Sequence, residues 1–206
     1  PLEPDTIHGE GWVSKWKIKS KSKTSTELLF NHDGKKGFPF RYRVNQKFSL
    51  KNKSLFISIS ITNIDKESFN CGIGFHPWFN IDKSSAIYSN NFTYIKEYPE
   101  KVYKKKLFSK KNFLDLNKFK IDKTFINWSG RAILVINKDT TIEIKNKKNI
   151  NNLHVYSPPN ENFFCIEPVT NIGDAYTIKK YSKMYQGLKV LKVNKKFEAK
   201  IEFKLI

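Results

Sequence analysis

The amino-acid sequence predicts an all-β protein, a large antiparallel β-sandwich. Three observations carry that expectation. Apolar and polar residues alternate with a period of two along most of the chain, turn formers recur about every 8 to 12 positions, and no amphipathic helix of three or more turns is visible. In LFISISIT, residues 55–62, Leu55, Ile57, Ile59 and Ile61 point one way while Ser58, Ser60 and Thr62 point the other. The aromatic content, 17 Phe and 9 Tyr, is ample for a wide β core.

Taken in order, strands are expected in GWVSKWKIKS (11–20), STELLFN (25–31), PFRYRVNQKFSL (39–50) and LFISISIT (55–62). Asp33-Gly34 and Asn52 punctuate them as turns. The stretch from about Asn90 to Lys120 is the least regular and reads as long loops with short strands. RAILVIN (131–137) and TTIEIKN (140–146) flank the turn Asn137-Lys138-Asp139. The chain ends in FEAKIEFKLI, with Phe197, Ala199, Ile201, Phe203 and Leu205 expected inward and Glu198, Lys200, Glu202 and Lys204 outward.

Its 206 residues make one domain-sized unit, 1–206, that can bury roughly 70% of its extended surface without a disulfide or metal. No apolar run approaches the ~20 residues that span a bilayer. No membrane association and a cytoplasmic location are therefore expected. Cys71 and Cys165 are too few for a disulfide scaffold, and neither they nor the four scattered histidines have metal-site spacing. No metal or organic cofactor is expected.

The net charge of +19 invites a nucleic-acid reading, but all but three of the 38 basic residues are lysine. Phosphate clamping and base reading favour the planar arginine fork, so no specific nucleic-acid partner is expected. Lys104-Lys105-Lys106 and Lys145-Asn146-Lys147-Lys148 are expected in solvated turns. The composition is silent on oligomeric state.

Four segments carry polar groups that sandwich packing does not require. They are IHGEGWVSKW with His8, GIGFHPWFN with His76, IDKTFINWSGRA with Asp122, and YSPPNENFFCIEPVTNIGDA with Glu167. From local sequence, His76 is either a packed core ring or a poised proton carrier. Pro77 restricts its backbone to extended angles, and Gly72 and Gly74 allow close backbone approach. Glu167 is either a strand-end surface residue or a carboxylate whose neighbours Phe163, Phe164 and Ile166 limit its hydration.

These segments, in this order, resemble the aldose 1-epimerase (galactose mutarotase) family, in its compact bacterial branch. The likeness rests on His8-Gly9, His76-Pro77-Trp78-Phe79-Asn80, Asp122, and Glu167-Pro168-Val169-Thr170 followed by Asp174-Ala175. It implies a galactose mutarotase-like supersandwich. Family members carry further N-terminal strands with a substrate-binding arginine, so the resemblance implies an N-terminally truncated chain.

The resemblance also implies a reaction: interconversion of the α and β anomers of a free aldose such as galactose or glucose. Glu167 would be the base at the C1 hydroxyl and His76 the acid at the ring oxygen, held on opposite sides of a pyranose. His8 and Asp122 would bind sugar hydroxyls, as against a turn histidine and a surface aspartate. Trp78 would stack on a sugar face or be core; Trp12 and Trp128 are expected in the core. Asn45, His32 and His154 have no role in this reading. The alternatives are a hexose-6-phosphate 1-epimerase and a non-catalytic carbohydrate-binding remnant of the same fold.

Overall fold

The computed structural model describes residues 8–35, 37–90, 93–97, 102–106, 113–118, 120–173, 175 and 187–206. It opens on a single-turn helix, α1 (Glu10–Val13), followed by β1 (Lys17–Lys21), β2 (Ser25–Asp33), β3 (Arg41–Lys51), β4 (Ser54–Asn63) and β5 (Phe69–Cys71). Short strands come next: β6 (Trp78–Asn80), β7 (Ala86–Ser89), β8 (Thr93–Glu97), β9 (Val102–Lys106) and β10 (Phe113–Asp115). The remainder is β11 (Ile121–Phe125), β12 (Arg131–Asn137), β13 (Thr140–Lys148), β14 (Asn152–Ser157), β15 (Phe163–Val169), β16 (Lys189–Leu191) and β17 (Lys196–Leu205). The protein is thus all-β, with large antiparallel sheets, as the alternation predicts.

Two compact units divide the chain: residues 1–71 with 189–199, and residues 72–188 with 200–206. The first contains the meander β1-β2-β3-β4, the opening residues of β17, and the β5–β16 pair. Its long hairpins are held in register over nine pairs in β2–β3 and ten in β3–β4. Asn52 turns the second hairpin at φ 54°, a left-handed angle that asparagine tolerates better than most residues. Phe30, Val44, Ile61, Phe69, Cys71 and Leu191 are buried in this unit.

The second unit contains the strand order β17-β13-β12-β7-β10 and a six-stranded sheet, β6-β15-β14-β11-β8-β9. Its fully buried side chains include Ile87, Leu114, Leu134 and Ile144 from the first and Phe125, Leu153, Val155, Phe164 and Ile166 from the second. Each such side chain contributes about 1.5–3 kcal/mol relative to exposure, so this core fixes the six-stranded sheet that carries the polar groups described below.

Several expectations change. The expected first strand begins as α1 and only later becomes β1, which is exposed throughout. The two lysine clusters lie within β9 and β13, not in turns. In β13, Lys145 pairs with the buried Glu143 at 2.7 Å and Lys147 with Glu202 at 3.3 Å. Glu202 is accordingly buried instead of outward, and Leu205, expected inward, is exposed at the chain end. Trp12 is also exposed, its ring against His8 at 5.1 Å.

One polar group in the first unit is wholly inaccessible. The Asn63 amide donates to the carbonyls of Glu67 (2.7 Å) and Leu191 (2.9 Å), and its oxygen accepts from Asp65 N–H (2.8 Å). It thereby joins the end of β4 to β16 across 128 residues of sequence. Asn63→Leu leaves those groups without their partner, and should cost about 3 kcal/mol in urea denaturation, the scale of losing two buried hydrogen bonds. A loss below ~0.5 kcal/mol would contradict this assignment.

Candidate active site

The site is assembled by a ladder that continues past the end of a strand. β6 pairs with β15 through Trp78↔Cys165, Phe79↔Phe164 and Asn80↔Phe163. Upstream of β6 the chain keeps following β15: Phe75 N–H donates to Pro168 O at 3.1 Å, and Gly74 bridges Val169. Thr170 then closes the segment, its N–H donating to Ile73 O (2.9 Å) and its hydroxyl accepting from Ile73 N–H (2.8 Å). Held on both sides, His76 lies opposite Glu167. Close approach requires the two glycines. A Cβ at Gly72 would collide with the Asn171 side chain, and one at Gly74 would stand 3.1 Å from Val169 Cγ1.

Register across the sheet does the rest, because directly paired residues share a face. One row runs Trp78, Cys165, Tyr156, Asp122 across β6, β15, β14 and β11. The next row has Glu167, His154 and Thr124, with His76 at its β6 end. Strands stand about 4.8 Å apart, so the two rows bring these side chains from four strands onto one face.

His76 Nε2 and Glu167 Oε1 are 3.3 Å apart, their side chains only 15% and 12% exposed. Glu167 is pushed up to about 7, first by burial and then by the negative charge of Asp122. The shielding differs from the sequence expectation. Alternation turns Phe164 and Ile166 to the opposite face, where Phe164 stacks on Phe79 (5.5 Å). Cys165 and Phe163 share the face of Glu167. Burial, with Glu167 as the second cause, pushes the Cys165 thiol up to about 12.

Trp78 is 54% exposed and stacks on Phe163 (centroids 4.5 Å) and on His76 (5.7 Å). Trp128 is buried, donating its indole N–H to Arg131 O at 3.1 Å. Asp122 lies on the same face, two strands from Glu167, and has a partner in His154, a residue given no role from the sequence. His154 Nε2 lies 3.2 Å from Asp122 Oδ1, and its Nδ1 lies 2.9 Å from Thr124 Oγ1. With the proton on Nε2, His154 donates to Asp122 and accepts from the Thr124 hydroxyl, which fixes both side chains. Among sequence signals, only its position two residues before Tyr156 in an alternating strand hints at a shared face. His8 belongs to the first unit, on the turn before α1, and burial lowers its affinity for a proton. Asp174 lies outside the described residues.

The fold and this group of side chains define a class: an all-β protein on large antiparallel sheets, with a buried carboxylate–imidazole pair beside an exposed aromatic ring. Comparison with known proteins narrows this. A solved structure from Escherichia coli K12 matches with TM-score 0.80 at 22% identity, covering 97% of this chain and 71% of that one. A galactose mutarotase related enzyme from Lactobacillus acidophilus matches with TM-score 0.80 at 18% identity, covering 97% and 73%. These likenesses establish the fold. In sequence, the uncharacterized protein YphB of Escherichia coli (strain K12) is 27% identical over 132 residues, which are 61% of this chain and 44% of that protein. The match thus spans under half of that relative's length. The sequence model of the family Aldose 1-epimerase matches residues 3–204, and the chain belongs to that family.

The raised carboxyl has a thermodynamic consequence. A folded-state value near 7 against 4.5 means that folding favours the protonated form. The contribution to stability is full below pH 4.5 and is lost as pH rises through 7, by up to about 3 kcal/mol. Glu167→Gln should therefore flatten the fall in stability between pH 4.5 and 8, measured by urea denaturation at several pH values. Parallel wild-type and variant curves would contradict it.

Proposed function

We propose that the chain is an isomerase that interconverts the α and β anomers of a free aldose by acid–base ring opening. The observation that carries this reading is the contact between His76 Nε2 and Glu167 Oε1 at 3.3 Å. The two oxygens that exchange protons in anomerisation, the hydroxyl and the ring oxygen, sit on one carbon. A base and an acid side by side, not on opposite sides of the ring, reach both.

The steps follow from the donors. Glu167, as carboxylate, takes the proton of the C1 hydroxyl while the C1–O bond of the ring breaks. His76 gives its Nε2 proton to the departing ring oxygen. The free carbonyl end rotates, and reclosure returns each proton to its source from either face. Burial supports the base role, since a carboxylate near neutrality is a stronger base than a solvated one. The exposed Trp78 ring offers an apolar platform for the C–H face of the sugar, and Asp122, oriented by His154, accepts from its hydroxyls. His8 remains a candidate for a sugar hydroxyl on the strength of the motif alone. No helix of the described residues is long and apolar enough to cross a membrane. Both cysteines are free thiols, which suits the reducing cytoplasm.

Exchange between α- and β-galactose, and likewise glucose, should be accelerated by the protein in magnetisation-transfer NMR. Glu167→Gln should lower kcat by at least about 100-fold, the scale of a lost general base. Sugar binding that survives in a protein without acceleration would favour the binding-module reading instead. The pH profile gives a sharper check: kcat/KM should rise with pH through about 7, as Glu167 loses its proton. Asp122→Asn removes the charge that helps hold Glu167 up, so that limb should move to lower pH. A limb that stays in place in the variant would remove Asp122 from the electrostatics of the site.

A further inference from the structure

Beneath the acid–base pair lies a third potential ligand that anomerisation does not use. One donor atom each from His76, Cys165 and Glu167 falls within 4.8 Å of the other two. The set is one imidazole nitrogen, one thiol sulfur and one carboxylate oxygen. We propose that these three side chains form a binding site for a borderline-soft divalent cation, zinc in the first instance, and that the bound ion switches the acid–base pair off.

The geometry suits a tetrahedral ion. Zinc bonds of about 2.0–2.3 Å at tetrahedral angles place ligand atoms about 3.3–3.6 Å apart. His76 Nε2 and Glu167 Oε1 already stand at 3.3 Å. The three donor atoms lie no more than 4.8 Å apart, so coordination requires at most about 1 Å of closure. The three donors come from one strand and the segment locked against it, so the backbone need not move. His76 and Glu167 are partly open to solvent while Cys165 is fully buried, so the arrangement is three protein ligands with a fourth position facing outward.

Charge favours the ion as well. An isolated carboxylate in this setting pays for its desolvation; a divalent cation beside it, with a thiolate, makes a centre of no net charge. Binding releases the thiol proton and leaves Cys165 Sγ bonded to the metal. The softness of sulfur selects zinc, cadmium or cobalt over magnesium and calcium, which prefer oxygen. Once His76 Nε2 and a Glu167 oxygen are bonded to metal, neither can carry a proton to or from a sugar. The ion site stands on the geometry alone; its inhibitory effect rests on the reaction proposed above.

The test uses the full chain with zinc, in competition with a chromophoric chelator, and with cobalt as a spectroscopic probe. Expected results are one ion per chain and, with cobalt, a near-ultraviolet thiolate-to-metal charge-transfer band. Cys165→Ala should abolish the band and weaken zinc at least 100-fold, since loss of an outer partner alone costs about 10–100-fold. His76→Ala should weaken zinc comparably while the band shifts, which guards against a variant that merely misfolds. Absence of the band in wild type, or equal zinc affinity in Cys165→Ala, overturns the site. If zinc binds as expected but the protein never accelerates anomer exchange, the ion site stands and the reaction reading fails. If exchange is fast and persists when zinc saturates the site, the proposed switch is wrong.

Discussion

The arrangement of the second unit depends on a single constraint: the ladder between β6 and β15 does not stop where β6 begins. Through Gly74, Phe75 and Ile73 the chain keeps hydrogen-bonding to Pro168, Val169 and Thr170, and so brings an imidazole to the buried face of a carboxylate. Everything chemical follows from that alignment. Were the segment 72–75 free of β15, His76 would be an ordinary ring on a loop and Glu167 an ordinary strand carboxylate. The glycines at 72 and 74 are the local cost of the alignment, because side chains there would meet Asn171 and Val169.

That alignment sets folding against the proposed function. Glu167 is desolvated and feels Asp122, both of which disfavour its ionised form. A sandwich optimised for stability would place an apolar side chain there. The same penalty holds the carboxyl near neutrality, which is what the proposed base role needs. The Thr124–His154–Asp122 chain works in the other direction. It ties an exposed aspartate to a half-buried ring and a strand hydroxyl, holding in one place the group proposed to accept from a sugar.

Much of this was legible in the sequence, and the exceptions have physical causes. β12 runs over 131–137, as its uninterrupted apolar pattern predicts, and β4 covers the whole of LFISISIT. His76, Glu167, Asp122 and Trp78, singled out from separate motifs, share one face of one sheet, an arrangement the motifs alone did not give. Period-two patterns report which face a residue takes but not which strand lies beside it. β15 and β14 form a hairpin, but β6 joins β15 and β11 joins β14 across long stretches of chain, so His76 could not be matched to Glu167, nor His154 to Asp122, before the register was known. The strand expected over 140–146 runs on to Lys148, because Lys145 and Lys147 find buried carboxylates at Glu143 and Glu202, partners that a run of lysines in sequence does not reveal. Phe164 and Ile166 were adjacent to Glu167 in sequence and on the wrong side in space.

The most direct test of the central claim is the ionisation of Glu167 itself. Following the side-chain carboxyl carbon by NMR from pH 3 to 9, with Glu167→Gln used to assign the signal, gives its midpoint without any substrate. The structure predicts a midpoint near 7. A midpoint at the ordinary value of 4.5 would mean that the carboxylate is solvated, and the buried pair on which the account rests would not exist in solution.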